Sequence, residues 1–179
     1  NEFVYILEGT YIYTLFRFIT DFGSREFLIP FVFILSILFL LLYRSFLPAL
    51  FFAGGTLGTH LLNQLIKFLV ERERPSLLEE ANAIGYSFPS GHAMISIVCY
   101  GLFFYFVSQK IKQKQIRRAL QVFTGLLVFL IGISRYVIHV HYMTDVVAGF
   151  VIGGLLLTLF IYVYEQLETE EKEKARSAR

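Results

Sequence analysis

Residues 27–43 read FLIPFVFILSILFLLLY, an uncharged run of Phe, Leu and Ile with Pro30 near its start. A helix crossing the hydrocarbon of a bilayer needs about 20 mostly apolar residues. Only Arg44 and Ser45 separate this run from a second, residues 46–70, so the two are expected to form a tight helical hairpin. Three further runs follow, at residues 93–108, 119–133 and 142–167. In lipid the backbone must satisfy its own polar groups, which helices do within one segment. The chain is therefore expected to be all-α, a polytopic transmembrane helical bundle with five visible spans.

Composition agrees. Of 179 residues, 56% are hydrophobic, 17% aromatic and only 17% charged, with a mean hydropathy of +0.62. Soluble domains carry about one quarter charged residues. The charges gather at the two ends, around 72–80 and in 110–118, leaving long uncharged stretches between. A net charge of +2 gives no case for a nucleic-acid partner. Cys99 is alone in an apolar segment, so it forms no disulfide within the chain and is read as a small core residue. One membrane domain over residues 1–179 is expected: an interfacial helical segment at 1–26, the bundle at 27–167 and a charged cytoplasmic tail at 168–179. The first segment is assigned to the interface because Glu8, Arg17 and Asp21 lie among aromatics.

Orientation follows from Lys and Arg in short loops. Lys110, Lys112, Lys114, Arg117 and Arg118 crowd one connection, and Lys172, Lys174, Arg176 and Arg179 the tail. Both are expected in the cytoplasm, with Arg44. Loops 71–92 and 134–141 then lie on the outer face, where Arg72, Arg74 and Arg135 break the rule. The same bookkeeping puts the N-terminal segment outside. The chain opens on Asn1 without a secretory signal of the usual layout; an upstream span with a cytoplasmic N-terminus accounts for this more simply, for six native spans.

Ionisable groups at membrane depth are costly, and they mark function. Three sets stand at the outer ends of spans. In the first, His60, Asn63, Gln64 and Lys67 recur at helical spacing, Arg74 follows two turns beyond Lys67 on roughly the same side, and Pro75 marks the helix exit. Two cations aimed at one place call for an anion between them, although Lys and Arg also snorkel there as plain anchors. The second is Phe88-Pro89-Ser90-Gly91-His92. A Ser-Gly pair opening a helix offers backbone N–H groups to an anion, or merely caps the helix beside an interfacial His. The third runs from Ser134-Arg135 through His139 and His141 to Asp145. His141 and Asp145 are four apart, so the carboxylate can hold one imidazole nitrogen and leave the other as a free lone pair; the plainer alternative is a buried pair that glues helices. Gly149 and Gly153 continue that face at steps suited to close helix contact. Taken together, the sets supply three cations, an N–H-rich helix start and two His on one membrane face: a phosphate site with a nucleophile and an acid.

Lys67-x₆-Arg74-Pro75, Pro89-Ser90-Gly91-His92 and Ser134-Arg135-x₅-His141-x₃-Asp145 resemble the three-part signature of the type 2 phosphatidic acid phosphatase superfamily. The span layout is similar to that of its bacterial phosphatidylglycerophosphate and undecaprenyl pyrophosphate phosphatases. The resemblance implies a six-helix membrane bundle and a lipid phosphate substrate in a bacterial cell membrane; the charge rule puts the site on the extracytoplasmic face. It also implies the roles. His141 is the nucleophile that forms a phosphohistidine, Asp145 orients it, and His92 is the general acid. Lys67, Arg74, Ser90, Gly91 and Arg135 bind the phosphate. The cations replace a metal, so no cofactor and no Mg²⁺ is expected.

His60 and Asn63 are read as supports for Lys67 or as water ligands, His139 as facing away, and Tyr86, Phe88, Tyr136 and Tyr142 as an interfacial aromatic belt. Headgroup choice is assigned to loop 76–86. Three readings compete, of which a non-catalytic lipid-binding relative would lack a motif residue, and none is missing. A vanadate-dependent peroxidase relative would share the site but is soluble. A transporter would spread its charges through the membrane, whereas these cluster at one end.

Overall fold

The computed structural model describes residues 9–75 and 85–177, and they form six helices. These are α1 Tyr11–Asp21, α2 Arg25–Tyr43, α3 Phe46–Val70, α4 Gly91–Lys110, α5 Lys114–Val137 and α6 Met143–Ser177. The described residues form helices and no strand, and α2, α4, α5 and α6 are each long and apolar enough to cross a membrane. The fifth expected span is α3, a helix of 25 residues. Its polar stripe of Thr56, Thr59, His60, Asn63, Gln64 and Lys67 interrupts the apolar run.

Local chemistry sets the helix ends. Thr10, Ser24 and Ser45 each cap a helix start, their hydroxyls accepting from Tyr13, Phe27 and Leu47 N–H. Arg44 takes a left-handed conformation (φ 51°), so α2 and α3 turn back on each other across two residues. This is the expected hairpin. Glu71 (φ 50°) ends α3 in the same way, which corrects one expectation. The helix stops at Val70, and Arg74 reaches the site from an extended segment rather than from a continued helical face. At the other end, α5 begins at Lys114, so Arg117 and Arg118 ride on a helix and the connection shrinks to residues 111–113. The charged tail prolongs α6 to Ser177, helped by the Glu168–Lys172 pair at 3.0 Å.

Helix α4 is apolar on all sides, and α3, α5 and α6 pack around it. Ala93, Met94, Val98, Cys99, Leu102 and Phe106 are fully buried. The approach of α6 to α4 is the closest-fitted seam. A Cβ on Gly149 would stand 2.7 Å from the Ser90 carbonyl oxygen, and one on Gly153 would stand 2.7 Å from that of Met94 and 2.1 Å from Ile97 Cγ2. Backbone cannot yield as a side-chain tip can. Gly153→Ala is expected to destabilise the bundle by about 1–3 kcal/mol, read as a lower Tm in detergent.

Because α2, α4 and α6 run one way and α3 and α5 the other, one end of the bundle collects five termini. They are the α2 start, the α3 end, the α4 start, the α5 end and the α6 start. All three sequence motifs lie there.

Candidate active site

The turn between α5 and α6 carries the central pair. His139 adopts φ 60°, and the Val140 and His141 N–H groups both return to the Arg135 carbonyl at 3.2 Å. This places His141 over the first turn of α6. His141 Nδ1 lies 3.4 Å from Asp145 Oδ2, and that same oxygen accepts from the Tyr142 N–H at 3.0 Å. His141 is 3% exposed and Asp145 fully buried. On the other side of the ring, Arg74 Nη1 stands 3.2 Å from Nε2. A guanidinium only donates. Nε2 must therefore accept, and the proton belongs on Nδ1, facing the carboxylate.

Burial is the largest influence on the His141 imidazole and lowers its pKa from 6.5 to about 4. The Asp145 hydrogen bond opposes that fall, and the charges of Arg74, Arg135 and Lys67 add to it. At neutral pH the ring is uncharged, with a lone pair on Nε2. Arg74 is itself lowered, by burial first, against the opposing pull of Asp145.

The cations converge from different elements. Lys67, near the end of α3, donates to the Tyr86 carbonyl and, at 3.2 Å, to that of Ser87. Arg74 also donates to the carbonyls of Val140 and Gly85, each at 2.8 Å. Arg135, on the last turn of α5, is 7% exposed. Its Nη1 donates to Thr20 Oγ1 at 3.0 Å, while its Nε is buried without a hydrogen-bond partner.

Ser90 is fully buried at the start of α4; its N–H donates to the Asp145 carbonyl at 3.0 Å, and its hydroxyl has no partner. Gly91 opens the helix against Asn63, whose Oδ1 would stand 3.0 Å from a Cβ there. His92 follows in the first turn, within electrostatic range of His141, Arg135, Arg74 and Lys67. The structure thus brings together all eight residues expected from the sequence. Their arrangement pairs a neutral imidazole lone pair with three cations and two spare buried donors. It can hold a tetrahedral oxyanion beside a nucleophile. Among the described residues no three His, Cys, Asp or Glu side chains gather as metal ligands.

Some neighbours differ from expectation. Asn63 donates to the Pro89 carbonyl at 3.3 Å, so it supports the Ser90 loop rather than Lys67. Residues 76–84 of the loop given to headgroup choice lie outside the described residues. Two site neighbours went unassigned in the sequence. Arg72 Nη1 bonds Asp145 Oδ1 and Thr144 Oγ1, each at 2.8 Å, and its guanidinium lies 4.2 Å from the centre of the Tyr142 ring. The signal was its place as a cation on the wrong side of the charge rule. Thr20 left no signal, since nothing in its surroundings marks it as the partner of a residue so distant in sequence.

Comparison with known proteins accords with this geometry. The PAP2 superfamily model matches residues 48–168. Phosphatidylglycerophosphatase B of Bacillus subtilis (strain 168) is 32% identical over 142 residues, which cover 79% of this chain and 70% of that protein. Lipid phosphate phosphatase delta of Arabidopsis thaliana is 30% identical over 148 residues, 70% of this chain but only 36% of the plant protein. Among solved structures, the transmembrane PAP2-type phosphatidylglycerolphosphate phosphatase from Bacillus subtilis superposes with a TM-score of 0.84 at 27% identity, covering 91% of this chain and 81% of that one. With the three motifs gathered at one end of a membrane bundle, the chain belongs to the PAP2 superfamily and is a multi-pass membrane phosphatase.

Proposed function

We propose that the chain dephosphorylates a membrane lipid phosphate without a metal ion, through a phosphohistidine on His141, at the extracytoplasmic face of the membrane. One observation carries this reading: the His141 ring is held by Asp145 at Nδ1 and faces a guanidinium with Nε2. Nε2 attacks phosphorus in line, and the bond to the leaving oxygen breaks as His92 protonates it. Asp145 stabilises the imidazolium that develops. His92, now neutral, takes a proton from water; the hydroxide attacks phosphorus, the N–P bond breaks, and inorganic phosphate leaves. Lys67, Arg74, Arg135, Ser90 and the Gly91 N–H hold the non-bridging oxygens, such donors contributing about 3 kcal/mol each to the transition state. The Arg74 donor that now meets Nε2 would turn to a phosphoryl oxygen.

The charge rule supports the extracytoplasmic face. Arg44, Lys110, Lys112 and the tail lie at the end of the bundle remote from the site. The proposal keeps the single-domain layout, with α1 at the interface; the exposure of Tyr11, Leu15 and Phe18 supports that placement. Phosphatidylglycerophosphate is the favoured substrate by likeness to the Bacillus subtilis proteins, and undecaprenyl pyrophosphate, which ends in the same group, is the second reading.

Phosphate release from detergent-solubilised lipid phosphates decides the matter. Phosphatidylglycerophosphate, phosphatidate and undecaprenyl pyrophosphate would be compared in identical detergent, with and without EDTA. Turnover persisting in EDTA is expected; its abolition would reject metal independence, and no release from any lipid would reject the function. The pH profile tests the nucleophile separately. His141 reacts only when neutral, so kcat/KM should hold on the acid side and fall only as pH drops through about 4. This is read after correction for the substrate phosphate, which ionises near pH ~6. An enzyme-derived acid-side limb near the ordinary histidine value would contradict the buried, cation-flanked ring.

A further inference from the structure

Arg135 is almost enclosed, yet the hydrogen-bond acceptor the structure gives it is a single neutral hydroxyl, Thr20 Oγ1. Thr20 is 5% exposed on the last turn of α1, outside the residues matched by the family. A guanidinium has five N–H donors. A bonded carboxylate would occupy several of those donors, whereas a hydroxyl fixes the direction of the group and leaves the others for an anion; Asp21 lies within electrostatic range of Arg135. Arg135 Nε is such a donor, buried and without a partner.

The turn that follows Thr20 is equally committed. The Tyr100 hydroxyl, on α4, donates to the Phe22 carbonyl at 2.7 Å. A Cβ on Gly23 would stand 2.6 Å from Ile131 Cγ2, 2.8 Å from His92 Cδ2 and 3.1 Å from Ser96 Oγ. The backbone of the α1–α2 turn therefore lies directly against the imidazole of His92, and Tyr100 pins it there.

We propose that Thr20 and Gly23 are positioning residues of the active site, Thr20 aiming Arg135 at the phosphoryl oxygens and Gly23 shaping the space in which His92 transfers its proton. This rests on the phosphate-binding role of Arg135 and the acid role of His92 given above. The site then draws on the segment ahead of the family match, and the short helix α1 is part of its machinery.

The full chain in detergent would be assayed with phosphatidylglycerophosphate, alongside inhibition by vanadate, which mimics the phosphorane. Thr20→Val removes only the hydroxyl. It is expected to lower kcat about tenfold or more, the worth of a hydrogen bond to a charged group, and to weaken vanadate inhibition by a similar factor. KM should change little, and Thr20→Ser should recover most of the loss. In an Arg135→Ala background, Thr20→Val should cost nothing further, because both act through one guanidinium. Gly23→Ala should slow hydrolysis of the intermediate, so that phosphoenzyme builds up.

Wild-type kcat in Thr20→Val, or losses that multiply in the double variant, would overturn the Thr20 assignment while leaving the phosphatase reading intact. Ordinary turnover in Gly23→Ala would overturn that of Gly23. An active wild type whose Arg135→Ala variant is unimpaired would refute the phosphate role of Arg135 and this inference together. Absence of any wild-type phosphate release would refute the function itself.

Discussion

His141→Ala is expected to lower kcat by about 10⁴–10⁶-fold, with no phosphoenzyme detectable by alkali-stable, acid-labile labelling or by mass. The size follows from the division of roles. Without the imidazole there is no covalent intermediate, and only the binding of phosphate by the cations and the helix start remains; removing a nucleophile elsewhere leaves a residue of rate of that order. Binding itself should survive, because His141 supplies no cation at neutral pH: its pKa lies at about 4. Vanadate affinity, which needs a bond to Nε2, should fall, while inhibition by inorganic phosphate should stay within a few fold. A His141→Ala enzyme that keeps full turnover would sink the mechanism. One that loses phosphate binding altogether would mean that the ring, not the guanidinium groups, organises the pocket.

The second large effect belongs to His92. His92→Ala should cost about 10²–10⁴ in kcat, the range for a positioned general acid or base. The pattern matters more than the size. The two half-reactions make unequal demands: a good leaving group needs no proton, whereas water attacking the N–P bond always needs a base. With an activated aryl phosphate, formation of the intermediate should recover and its hydrolysis should not. The variant would then show a burst near one equivalent followed by a slow steady state. A slow first turnover with every leaving group and no burst would contradict the assignment, as would normal turnover.

Much of this architecture was legible in the sequence. Uncharged runs located the helices, because hydrocarbon leaves a chain few other choices, and the two-residue break at Arg44–Ser45 announced the hairpin. Six of the eight candidate site residues stood out because membrane depth makes ionisable side chains conspicuous, and Ser90 and Gly91 because they open a helix beside them. Helix ends were less so. Glu71 closes α3 in a left-handed conformation that its residue type does not favour, and the charged stretches after residue 113 and residue 167 look like loop or tail although Lys, Arg, Gln and Glu are good helix formers in contact with water. Arg72 was visible as an oddity, yet its grip on Asp145 depends on the path of the segment after Val70. Thr20 and Gly23 could not be found at all, since their meaning comes from tertiary contact with Arg135 and His92.

The glycine seam between α4 and α6 has a mechanical side. Ser90 N–H bonds to the Asp145 carbonyl, and Gly149 and Gly153 let the two backbones touch over the next two turns. His92 and His141 are therefore separated by a distance that belongs to one rigid two-helix body. When a bilayer thins or thickens, membrane helices respond mainly by tilting. A tilt would carry the proposed acid and nucleophile together, so turnover is expected to change little between lipids of different chain length.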